Sequence, residues 1–102
     1  MSKTRKKSIA EQELEDFDVV FKALAHSSRR NILTVLQARG GTMTAGDIVS
    51  RVNFSWPTMT RHLQQLDQAG LISAAKEGRE QYYTLNSKRL NTVVNNYMKW
   101  FE

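Results

Sequence analysis

Apolar residues recur at Leu14, Phe17, Phe21 and Leu24, the spacing of one face of a helix. This predicts an amphipathic first helix over Glu11 to about Ala25, with acids in its first turns, where the helix dipole favours them. Upstream, residues 1–10 have no apolar period and are expected to form a disordered basic arm. Ser27 or Ser28 is the expected cap of a second helix with the stripe Ile32, Leu33 and Leu36, which Gly40-Gly41 ends.

Thr44 with Asp47 three residues later has the form of a capping box, and Met43 before the cap can pack on Ile48 as a hydrophobic staple. Ser55 caps the following helix in the same way, with Phe54 and Met59 as staple and Pro57 tolerated in the first turn. Val52-Asn53-Phe54 leaves room only for a tight turn, so these two helices form a helix-turn-helix. The second carries Met59, Leu63, Leu66 and Ala69 on one face, until Gly70 stops it, and Trp56, Thr58, Thr60, Arg61, Gln64 and Gln65 on the other.

After Gly70 the period changes. Leu71 to Ala75, a Lys76-Glu77-Gly78-Arg79 turn and Glu80 to Leu85 read as a two-stranded hairpin, a wing. Asn86 then caps a last helix whose apolar set, Leu90, Val93, Val94, Tyr97, Met98 and Phe101, is too broad for so small a domain to cover. Together with Leu14, Phe17 and Phe21 of the first helix it is expected to bury against a second copy of the chain. The expected fold is mainly α with a small β-hairpin: a winged helix-turn-helix of five helices and a two-stranded antiparallel wing, in one domain over residues 11–102.

Length agrees: 102 residues suit one domain, and 40% hydrophobic with 25% charged residues is ordinary globular composition. The chain has no cysteine, which excludes disulfides, thiolate metal sites and a cysteine nucleophile. No nucleophile elbow, phosphate-cradling glycine loop or metal-ligand pair is visible, so neither an enzyme nor a cofactor is expected. No signal-peptide or membrane-spanning pattern is present either, and a cytoplasmic location is the expectation.

Charge distribution sharpens the picture. Residues 1–10 carry +4, residues 11–28 carry −4 and residues 29–102 carry +5. A basic arm, an acidic first helix and a basic remainder suit a protein with one side turned towards a polyanion, because phosphate neutralisation dominates non-specific binding to nucleic acid. The alternative is that the basic residues only keep the surface soluble.

Three segments resemble the ArsR-type winged-helix repressors of bacteria: Leu24-Ala25-His26-Ser27-Ser28-Arg29-Arg30-Asn31-Ile32-Leu33, then Met59-Thr60-Arg61-His62-Leu63-Gln64-Gln65-Leu66 with Ala69-Gly70-Leu71-Ile72, and Gly78-Arg79 with Tyr82-Tyr83-Thr84-Leu85. Order and spacing match over roughly residues 14–101. His26-Ser27 stands where that family usually has Asp-Pro, and its metal-binding Cys pair before Asp47 is replaced by Thr44 and Gly46. The chain therefore looks more like the metal-independent autorepressor branch. The resemblance implies a homodimer that binds an inverted-repeat, pseudo-palindromic operator in double-stranded DNA and blocks transcription.

Thr60 and Arg61 are then the leading candidates for base contact, since an Arg fork matches guanine O6 and N7 and a Thr methyl can touch thymine. Thr58 and Gln64 share their face, for base or phosphate. His62 is either a packed, hydrogen-bonded histidine or a DNA contact. Trp56 either meets DNA sugars and thymine methyls or folds back on its own domain. Ser55 is first an N-cap, with a phosphate contact secondary, and Thr44 joins the DNA-facing set as cap of the preceding helix. Lys76 and Arg79 at the hairpin tip are candidates for phosphate or minor groove. The arm residues Lys3, Arg5, Lys6 and Lys7 resemble a polybasic extension or simply aid solubility. His26 and His62 lie on different elements and are not expected to share a site. Residues 87–101 contain no His, Asp or Glu, so a metal site there is not expected. Rivals to DNA binding are a winged-helix module that docks another protein, and a ligand or metal sensor of the same fold. An anti-repressor protein and a small-molecule ligand are the partners left open for release.

Overall fold

The computed structural model describes residues 7–102, so the expected disordered arm falls largely outside the described residues. Helix α1 spans Ile9–Leu24, earlier than the Glu11 start its apolar period suggested. The cause is a capping box: Ser8 accepts from the Glu11 N–H, and the Glu11 carboxylate accepts from the Ser8 N–H, each at 3.1 Å. Helix α2 spans Ser27–Ala38, and its N-cap is His26 rather than Ser27 or Ser28, with no side-chain cap bond. The junction is held from the other side. Arg29 donates to the carbonyls of Ala23 (2.7 Å) and Lys22 (3.1 Å), and Arg30 to that of Leu24 (2.7 Å). Two arginines of α2 thus satisfy the carbonyls that α1 leaves open at its end.

Strand β1 (Thr42–Thr44) leads into helix α3 (Ala45–Val49), which Thr44 caps by accepting from the Asp47 N–H at 3.1 Å. Helix α4 (Trp56–Gln68) follows, capped by Ser55 with Pro57 in its first turn. Strands β2 (Ile72–Glu77) and β3 (Glu80–Leu85) form the wing, and helix α5 (Ser87–Lys99) starts at Asn86, whose side chain accepts from the Arg89 N–H.

The sheet corrects the expected two-stranded wing. It has three strands in the order β1-β3-β2, all antiparallel, with Thr42, Met43 and Thr44 facing Thr84, Tyr83 and Tyr82. The Thr42 and Thr84 hydroxyls share a hydrogen bond of 3.1 Å. The turn is also tighter than the four residues expected, because Lys76 and Glu77 belong to β2 and pair with Gln81 and Glu80. Only Gly78-Arg79 connects the strands, and Gly78 takes the positive φ (62°) that the first position of a two-residue II′ turn requires.

Val20 of α1, Ile32 and Leu36 of α2, Ile48 of α3, Met59, Leu63 and Leu66 of α4, and Leu71 are fully or almost fully buried and make one core. All five helices put at least one apolar side chain into it. Burial of a Leu side chain is worth about 1.5–3 kcal/mol, so α4 is held by one face and presents the other at a fixed angle. Helix α5 contributes Val93 to this core and lies chiefly along α1.

Candidate nucleic-acid interface

Helix α4 buries Met59, Leu63 and Leu66, and this sets what its other side shows. Arg61 and Gln64 are exposed on it, and Trp56 at the first position is half exposed, so its indole does not fold back fully onto the domain. Thr58 and Thr60 are half buried, and their hydroxyls are already engaged. Thr60 donates to the Trp56 carbonyl at 3.0 Å, and Thr58 accepts from the Ser55 hydroxyl at 3.1 Å. Ser55 also accepts from the Thr58 N–H, so its first role is the cap. Thr44 is likewise committed to Asp47. The wing tip is open: Lys76 on β2 and Arg79 in the turn are both exposed.

His62 is the residue whose place the sequence left open, and the structure puts it in a packed cluster. Its ring lies 4.8 Å from that of His26 and 5.6 Å, edge to face, from that of Phe54. The two histidines, which lie on different elements and were not expected to share a site, are thus neighbours, since the cap of α2 and the middle of α4 meet here. The His62 pKa is lowered, first by burial, then by the neighbouring His26, Arg29 and Arg61. These surroundings favour the neutral imidazole.

The positions of the family's thiolate pair hold Thr44, whose hydroxyl is bonded within the helix cap, and Gly46, which has no side chain. They do not fit a thiophilic metal. Among the described residues no group of three or more His, Cys, Asp or Glu lies close enough to hold an ion.

A second face is distinct from this one. Phe17 and Val93 sit in the chain's own core, and Phe21, Leu90 and Val94 pack against it, so these five are largely occupied within one copy. Tyr97 meets Phe17, Phe21 and Phe101 edge to face at centroid distances of 5.2, 4.9 and 5.2 Å. Leu14, Met98 and Phe101 remain exposed, and Tyr97 is partly so. Trp100 joins them, and Ile9 and Val19 of α1 are exposed as well; the sequence reading missed all three. Trp100 lies within the span of the last helix's stripe but was not counted in it, and Ile9 was assigned to the arm. The Trp100 indole N–H donates to Glu13 at 3.2 Å, tying the end of α5 to α1.

Residues 24–73 match a family described as a helix-turn-helix domain. The transcriptional repressor SdpR of Bacillus subtilis is 45% identical over 76 residues, 74% of this chain and 82% of that protein. An arsenical resistance operon repressor of Staphylococcus aureus is 30% identical over 80% of this chain and 77% of its own length. The chain belongs to the ArsR-type winged helix-turn-helix family of transcriptional regulators. Among solved structures, an ArsR-like transcriptional regulator from Rhodococcus sp. RHA1 superposes with a TM-score of 0.73 at 28% identity, covering 84% of this chain and 79% of that one. A homodimeric winged helix-turn-helix DNA-binding domain from Mycobacterium bovis gives 0.72 at 25% identity, over 98% and 92%. Within this ArsR-type frame α3 and α4 are the helix-turn-helix, α4 the recognition helix and β2-β3 the wing. No helix of the described residues is long and apolar enough to cross a membrane.

Proposed function

We propose that this ArsR-type chain acts in the cytoplasm as a homodimeric repressor of a pseudo-palindromic operator, with α4 of each copy in successive major grooves and the wings on the flanks. The observation that carries it is the division of α4: Met59, Leu63 and Leu66 lock one side into the core while Arg61 and Gln64 stand free on the other. A guanidinium presented at a fixed angle can read guanine, whereas a mobile one only finds phosphate. Arg61 and Gln64 carry base readout, Trp56 contacts sugars and thymine methyls, and Lys76 and Arg79 hold phosphate or minor groove. The engaged hydroxyls of Thr58 and Thr60 leave their methyls and oxygen lone pairs for secondary contacts. Ser55 and Thr44 serve DNA binding through the helix starts they cap, and His62 through packing.

The second copy docks on Leu14, Tyr97, Met98 and Phe101, backed by Phe17, Phe21, Leu90, Val93 and Val94 and extended by Trp100. The relative from Mycobacterium bovis is homodimeric, which supports this assembly. No response to thiophilic metals is expected, and an autoregulated repressor needs no effector to hold its own level steady. The test is selection of bound fragments from the source genome by the purified chain. Recovered fragments should share a two-fold-symmetric sequence with half-sites about 34 Å apart or a multiple of it. A pool without a common sequence would overturn the reading.

A further inference from the structure

The end of the recognition helix is gripped by the helix that carries the apolar face. Helix α4 closes in a Schellman turn, in which the Gly70 N–H returns to the Asp67 carbonyl (2.9 Å) and the Leu71 N–H to that of Leu66 (3.0 Å). The carbonyls of Ala69, Gly70 and Leu71, three in succession, then all accept from the start of α5. Arg89 Nε donates to Ala69 at 2.9 Å, Asn86 Nδ2 to Gly70 at 3.1 Å, and the Asn86 N–H to Leu71 at 2.8 Å. The other end of the Arg89 guanidinium reaches Asp16 of α1 at 3.5 Å. The Arg89 side chain lies directly against Gly70. A Cβ on Gly70 would come within 2.7 Å of Arg89 Nε and 3.0 Å of its Cδ, and Gly70 has a φ of 76° besides.

We propose that Arg89 and Asn86 are positioning residues that set the angle between the recognition helix and the assembly helices α1 and α5. Resting on the operator-binding reading above, this makes them determinants of half-site spacing, although neither needs to touch DNA. Apolar packing resists separation but allows small sliding and rolling. Directional bonds to three consecutive carbonyls do not, and α5 otherwise lies chiefly along α1. In a dimer built on that pair, the joint therefore fixes how far apart and at what tilt the two α4 helices stand.

The experiment uses full-length protein, a duplex selected by the wild-type chain, the same duplex with one base pair inserted between half-sites, and a random duplex. Arg89→Ala should lose at least tenfold on the selected duplex and less than threefold on the lengthened one, so that spacing preference shrinks while sedimentation still shows the wild-type assembly. Arg89→Lys keeps the charge but not the fork and should behave like Arg89→Ala. Asn86→Ser keeps a cap for α5 but loses the donor to Gly70, and should shift preference the same way by about threefold; it carries the test if Arg89→Ala does not fold. Full rescue by lysine would make Arg89 a charge contact and overturn the proposal, as would equal losses on both spacings or unchanged preference in folded protein. A wild-type chain that selects no duplex would remove the operator reading and this one together. A selective wild type with indifferent variants removes this one alone.

Discussion

Two faces of the molecule are exposed, and they are exposed in opposite ways. Around α4 and the wing the free side chains are Arg61, Gln64, Lys76 and Arg79, with one large apolar group among them, Trp56, 51% exposed. Along α1 and α5 they are Leu14 at 58%, Met98 at 57%, Trp100 at 69% and Phe101 at 68%. Water solvates the first set at little cost, so that face can wait empty between encounters. The second set is unfavourable in water at every moment and calls for a permanent cover. Exposure alone thus says little about a partner; the chemistry of what is exposed says whether the partner comes and goes.

Charging the apolar face should have the largest effect. Met98→Glu with Phe101→Glu removes about 1 kcal/mol of burial per side chain, doubled by symmetry, so dimerisation should weaken about a thousandfold. Operator affinity should collapse with it, because two half-site contacts no longer act as one. Sedimentation and DNA titration check both parts, and a dimer that survives would erase the contrast between the faces. Arg61→Ala attacks the polar face and should cost about 1–3 kcal/mol per half-site on a selected operator, with relaxed preference at one base pair. Equal losses on random and selected duplexes would reduce Arg61 to a phosphate contact. Lys76→Ala is expected to weaken all duplexes alike and to shallow the salt slope by about one unit per subunit.

A subtler test lies beneath the polar face. The folded His62 has a pKa below its ordinary value, so in acid the unfolded chain takes the proton first and stability falls as pH drops below about 6.5. Above that pH the group costs nothing. His62→Gln should flatten this part of the stability profile in thermal melts between pH 5 and pH 8. An unchanged profile would mean that neither the burial of His62 nor its neighbours His26, Arg29 and Arg61 shift its protonation. Smallest of all should be the response to zinc: affinity with stoichiometric metal or with chelator should differ by less than tenfold at fixed ionic strength.

How much of this could be read from the chain depended on distance along it. Thr44, Ser55 and Asn86 were legible as caps because a cap bond spans three residues. Ser8 carried the same signal, with Glu11 three positions on, but it follows a basic run that has no apolar period. Strand β1 was not legible: three residues between Gly41 and Ala45 are too few for a period, and the partner strand lies about forty positions away. The contact of His26 with His62 is of the same kind, as is the grip of Arg89 on Ala69. The exposure of Arg61 and Gln64 was legible because burial of α4 decides which way it faces, whereas the bonds of the Thr58 and Thr60 hydroxyls to Ser55 and Trp56 were not.

Strand β1 also bears on the order in which the chain folds. Helices and the β2-β3 hairpin are local and can form in about microseconds. Pairing Thr42 with Thr84, by contrast, must close a loop that contains the whole helix-turn-helix, and such closures are slow because their entropy is lost before the contacts return it. The hairpin can therefore form before β1 pairs with it, leaving one edge of β3 free until then. During that interval Tyr82 and Tyr83 lie on a strand with an unpaired side, which another chain can take in place of Thr42–Thr44. Once in place, the same three residues cover that edge, so the exposure ends only when this long closure is made.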